Sequence, residues 1–130
     1  MGNQQSTSFC DCQTLQDKIS NMSNVEPFLL ISTLHKQHQH CLIQCTLSIE
    51  EEEKQINDCI RYKKKANVIV YGKNYRDETV YKKFKQLCQL GLFNVKMYGG
   101  GLFEWLLLQE IYGNQLFPTQ GCENDILKYK

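Results

Sequence analysis

The sequence predicts an α/β domain with a central, mostly parallel sheet flanked by helices. Short apolar runs alternate along the chain with segments whose apolar residues recur at helical spacing. Glycines at 72, 91, 99–101 and 113 fall at the junctions between them. A length of 130 residues is enough for one domain around one core.

Residues 1–12, which begin MGNQQSTSF, are expected to be a flexible tail, because they open polar, small and unpatterned; the domain then occupies 13–130. Leu15 and Ile19 share one face of a short helix expected over 11–21. Pro27 closes a turn before Phe28, Leu29, Leu30 and Ile31, which read as the first core strand. HKQHQHC follows as a polar loop. From Leu42 to Ile49, polar and apolar residues largely alternate, so a strand or extended edge segment is expected there. Ser48 and Glu51 have the spacing of a capping box. Glu50 to Glu53 suit the positive end of the helix dipole, and Ile56, Cys59 and Ile60 supply that helix's apolar stripe. Val68 to Tyr71 form a buried strand. Asp77 is a good N-cap for a helix carrying Val80, Phe84, Leu87 and Cys88 on one face, and Gly91 is placed to end it. Asn94 to Tyr98 read as a short strand and Gly99–Gly101 as a turn. LFEWLLLQEIY is then a strongly apolar helix closed by Gly113, with Trp105 expected in the core.

Fifteen basic residues against fourteen acidic ones leave a formal charge of +1, which argues against a general nucleic-acid binder. The basic run Arg61, Tyr62, Lys63, Lys64, Lys65 reads as a solvated connecting turn. The first twenty residues lack the apolar stretch of a secretory signal, and no run approaches the ~20 apolar residues of a membrane span. The seven cysteines then fit reduced thiols in a cytoplasmic protein better than a disulfide framework.

One stretch carries a resemblance. In LCQLGLFNVKMYGGGLFEWLL, residues Leu87, Gly91, Asn94, Val95, Gly100, Gly101 and Trp105 are similar, in order, to the C-terminal signature of rhodanese domains. The layout of residues 13–118 resembles that family more loosely. In active members a cysteine follows the central strand, at the base of a loop whose inward N–H groups hold a thiolate or persulfide. The resemblance places Gly72 at that position, so the catalytic set is expected to be empty, with Gly72, Lys73, Asn74, Tyr75, Arg76 and Asp77 forming a degenerate loop. Asp77 and Glu78 stand where an active loop usually carries arginine. Lys73 and Arg76 remain basic, so the loop either is a solvated vestige or grips a small anion. Cys88, the nearest cysteine, is assigned to the apolar stripe of its helix.

MGNQQS fits the N-myristoylation pattern M-G-x-x-x-[ST], which makes Gly2 a lipid-attachment candidate. A lone myristoyl chain binds membranes marginally, and Cys10 and Cys12 are candidates for a second lipid. His35, His38, His40, Cys41 and Cys45 have metal-ligand chemistry without a second pair at finger spacing, so a surface loop and no metal is expected. The expected protein is an inactive rhodanese-like domain without cofactor, a binding or regulatory module peripheral on a membrane, partnered by another protein and not by nucleic acid. The rivals are a sulfurtransferase or phosphatase-like enzyme using a displaced cysteine, with Cys45 the least implausible, and a small-anion sensor.

Overall fold

The structure is a computed structural model and describes residues 8–21 and 28–130. Its sheet has four strands, β1 (Phe9–Cys10), β2 (Phe28–Ser32), β4 (Asn67–Tyr71) and β5 (Val95–Tyr98), in the order β1-β5-β4-β2 and parallel throughout. Because side chains alternate across a strand, the sheet buries both faces. Leu30, Ile69, Tyr71 and Tyr98 pack with Leu15 of α1 (Cys12–Ser20) and with Leu102, Trp105 and Leu106 of α4 (Gly101–Tyr112). Leu29, Ile31, Val68, Val70, Val95 and Met97 pack with Ile56 and Cys59 of α2 (Ile49–Arg61) and with Val80 and Leu87 of α3 (Glu78–Gln89).

The caps follow the sequence. The Ser48–Glu51 box closes in both directions, Ser48 Oγ accepting from the Glu51 amide and Glu51 Oε1 from the Ser48 amide, each at 3.1 Å. Gly91, with φ +107°, ends α3, and its neighbour Leu92 donates its amide back to the Leu87 carbonyl. Trp105 is fully buried and donates its indole N–H to the Pro118 carbonyl at 3.0 Å.

The structure differs from the sequence reading in four places. Phe9–Cys10 and Cys12, inside the expected tail, belong to β1 and α1. The strand expected over 42–49 shrinks to β3 (Cys41–Ile43), because Cys45 takes φ +75° and turns the chain toward the Ser48 cap. β3 pairs antiparallel with β6 (Thr119–Gly121) outside the main sheet. Ile60 and Cys88, assigned to apolar stripes, are exposed at the stripes' edges. The Pro27 turn lies outside the described residues. Among those described, no helix is long and apolar enough to cross a membrane.

Candidate functional site

The β4–α3 loop, residues 72–77, lies at the carboxyl ends of the parallel strands, where open α/β sheets form their ligand sites. β4 delivers it: the Thr33 amide donates to the Tyr71 carbonyl at 2.9 Å and carries the β2 pairing to the loop's first residue. Asn74 clasps it. Its Oδ1 accepts from the Arg76 amide at 2.9 Å, its carbonyl accepts from the Asp77 amide at 3.2 Å, and its side-chain amide donates to the Tyr129 carbonyl at 2.8 Å. The first turn of α4 leans on the same loop, the Leu102 and Phe103 amides donating to the Gly72 and Lys73 carbonyls at 2.9 and 2.8 Å. That approach demands glycine at 101. Its φ is +69°, and a Cβ there would lie 2.8 Å from the Asn74 nitrogen and from the Gly72 oxygen.

At Gly72 a side chain has nowhere to go. A Cβ would lie 2.7 Å from Val80 Cγ2, 2.8 Å from Thr33 Oγ1, and closer still to Asp77 Oδ2. The carboxylate of Asp77 therefore fills the space over the loop floor. Its Oδ2 accepts from the Lys73 amide at 2.9 Å, and its Oδ1 from the Thr79 amide at 3.1 Å and the Thr79 hydroxyl at 2.6 Å. Burial alone would raise the pKa of Asp77, but these hydrogen bonds from Lys73 and Thr79 outweigh it and hold the carboxyl below its ordinary value. The loop thus carries its own anion. The amides of Lys73, Arg76, Asp77 and Thr79 all donate to acceptors within residues 74–77.

Beside the loop, Phe9, Val80, Tyr81 and Met97, together with residues 74–78, line a cavity of about 270 Å³. Tyr75 stands 80% exposed at its rim, with the Arg76 guanidinium 5.7 Å from the centre of its ring. No cysteine is among the lining residues. Sequence reasoning identified Asp77 as a helix cap and missed that its second oxygen turns back over Gly72. The Asp-x-Thr spacing at 77–79 was the available signal. It missed Phe9 as well, having assigned it to the tail.

The other predicted positions lie apart from the loop. Gly2 is outside the described residues. Cys10 and Cys12 are half-buried against the core; burial pushes the Cys10 thiol up to about 11 and raises that of Cys12. His35 Nδ1 accepts from the Gln37 amide, His40 pairs with Glu123 at 2.7 Å, and His38 meets the Tyr129 ring edge-on. Cys41 is buried in β3 with its thiol pushed up to about 11, and the Cys45 amide donates to Gln120. Among the described residues, no three His, Cys, Asp or Glu side chains are grouped so as to hold a metal.

Comparison with solved structures identifies the architecture. The chain superposes on the BH2092 protein of Bacillus halodurans with a TM-score of 0.67 at 19% identity, covering 91% of this chain and 80% of that one. It superposes on the rhodanese-like domain of the Anabaena Alr3790 protein with a TM-score of 0.61 at 20% identity, covering 88% and 80%. The chain has a rhodanese-like fold. Yeast Ygr203w, described as a protein tyrosine phosphatase of the rhodanese family, gives a TM-score of 0.63 at 14% identity over 91% and 94% of the two chains. No family model and no curated protein matches the sequence. The loop singled out by the sequence resemblance is the β4–α3 loop, which Gly72 opens.

Proposed function

We propose that this chain is a catalytically inactive rhodanese-like domain serving as a membrane-tethered binding or regulatory module. The observation that carries the reading is the Asp77 carboxylate over Gly72. A sulfur- or phosphate-transferring loop needs a thiolate at its floor and free amides to receive a second anion. Here a carboxylate oxygen fills the floor and accepts from the Lys73 amide. The same arrangement weighs against a small-anion sensor, because an incoming phosphate would meet a fixed negative charge.

Six of the seven cysteines fare no better as displaced nucleophiles. Burial raises the thiol pKa of Cys10, Cys12, Cys41, Cys45, Cys59 and Cys88, the opposite of what nucleophilic activation requires. The partner is proposed to be a protein that seats an apolar side chain in the cavity between Phe9, Tyr75 and Tyr81. Exposed tyrosine and arginine at its rim suit that role. Tethering rests on myristoyl Gly2.

The test has two arms. Full-length protein is assayed for thiosulfate–cyanide sulfur transfer and for aryl-phosphate hydrolysis, and the native N-terminus is read by mass spectrometry. Turnover in either assay removes the inactive reading. An unacylated Gly2 in the natively expressed protein removes the tether.

A further inference from the structure

At the amino ends of the strands, opposite the Gly72 loop, the structure carries a second surface. The chain leaves α2 and α3 there to begin β4 and β5. Between the two helix ends, Cys59, Ile60, Ala66, Leu90, Leu92 and Phe93 line an apolar groove of about 340 Å³, with Lys63 and Lys64 on its margin. Phe93 is 78% exposed, and Tyr62 and Leu90 also stand out. Arg61 and Lys65 complete a run of four exposed cations.

The charge is segregated along α2. Glu50, Glu51, Glu52 and Glu53 stand at its start, and the four cations at its end. Glu53 and Arg61, the nearest members of the two groups, are eight residues or about 12 Å apart along the helix, beyond the ~8 Å screening length at physiological salt. A surface meeting the basic end therefore feels the glutamates only weakly, although the whole chain is nearly neutral. Asp58 also stands close to the run, interacting with Cys59 alongside Lys64.

Lys63 adds an independent observation. Tyr62 caps α2, Lys63 follows at φ +51°, and the Lys64 amide donates back to the Cys59 carbonyl at 3.1 Å. α3 ends in the same hydrogen-bonded turn with glycine, Gly91, at the matching position. The backbone at 63 thus favours glycine on conformational grounds, and the sequence places a lysine there.

We propose that this face docks on an anionic membrane surface, with Phe93 and its apolar neighbours entering the interface and Arg61, Lys63, Lys64 and Lys65 contacting lipid phosphates and carboxylates. The inference extends the tethering part of the proposed function, since a single acyl chain needs a second contact for stable attachment.

The test uses full-length protein made in bacteria without an acyltransferase. It is sedimented with vesicles of phosphatidylcholine alone and of phosphatidylcholine and phosphatidylserine in equal parts. Binding is expected only to the anionic vesicles and weakens as salt is raised. Lys63→Gly, which relieves the left-handed backbone and keeps the fold at least as stable, should still weaken partition roughly fivefold, as should Lys64→Gln. Phe93→Ser should weaken the binding that survives at higher salt. Equal binding to both vesicle types, no binding to anionic vesicles at low salt, or an unchanged Lys63→Gly would each overturn the proposal. So would a soluble acidic peptide that occupies the groove while vesicles do not bind. Because the protein is unacylated throughout, these results stand apart from whether Gly2 carries a lipid.

Discussion

Gly72→Ala places one methyl group where the Asp77 carboxylate now lies. The φ of Gly72 falls outside the left-handed region, so the unfolded-chain effect of adding a Cβ favours the variant by about 0.4–1 kcal/mol. Against this stand overpacking onto Val80 and Thr33, about 1–3 kcal/mol, and displacement of the Asp77 cap, about 0.5–2 kcal/mol. The net expectation is a loss of about 2 kcal/mol. In a domain of this size that lowers the melting temperature by roughly 6–10 °C. Urea unfolding at neutral pH reads the loss directly, and it should appear as a lower midpoint with an unchanged slope. In an Asp77→Ala background the same methyl should cost less, because one of its three obstacles is gone. A Gly72→Ala protein as stable as the parent would refute the claim that the carboxylate occupies that space.

Two further predictions rest on the buried and charged network. Tyr71→Phe removes the hydroxyl that accepts from the Ile43 amide at 3.1 Å and lies 2.7 Å from Thr46 Oγ1. Leaving that buried amide unpaired should cost about 1–3 kcal/mol in urea unfolding, and a neutral result would contradict the assigned hydrogen bond. Asp77 and Glu123 both titrate below their ordinary values in the folded chain. Glu123 falls to about 2, first through its bond from Lys128 and then through that from His40. A depressed folded value means that stability is complete above the unfolded pKa, near 4, and is lost as pH falls through the folded one. The melting temperature should therefore decline progressively below about pH 4, and Asp77→Asn should show a shallower decline than the parent; parallel curves would contradict the Asp77 assignment.

The sheet core was legible because its signals are local. FLLIS and NVIVY are apolar runs of strand length, and Ser48, Asp77, Gly91 and Gly113 mark helix ends through backbone chemistry that neighbouring residues determine. β6 and the edge strand β1 were not legible. Their partners lie far away in sequence, β6 against β3 and β1 against β5, and two- or three-residue strands carry no periodicity of their own. The alternation at 42–49 overstated β3, because nothing in the sequence marks Cys45 for a left-handed backbone. At the loop, the resemblance located Gly72 and the residues around it. It did not reveal that the N-cap of α3 has one oxygen to spare for the floor, which depends on how close the helix start comes to β4.

Thiocyanate formation from thiosulfate and cyanide, measured with the intact seven-cysteine chain against a protein-free blank, bears most directly on the central claim. A loop whose floor is a carboxylate should give a rate indistinguishable from the blank, both in the parent and after individual cysteines are changed to serine. Sustained turnover that disappears with any single cysteine would mean that a thiol does reach the site, and the reading of the Gly72 loop would be wrong.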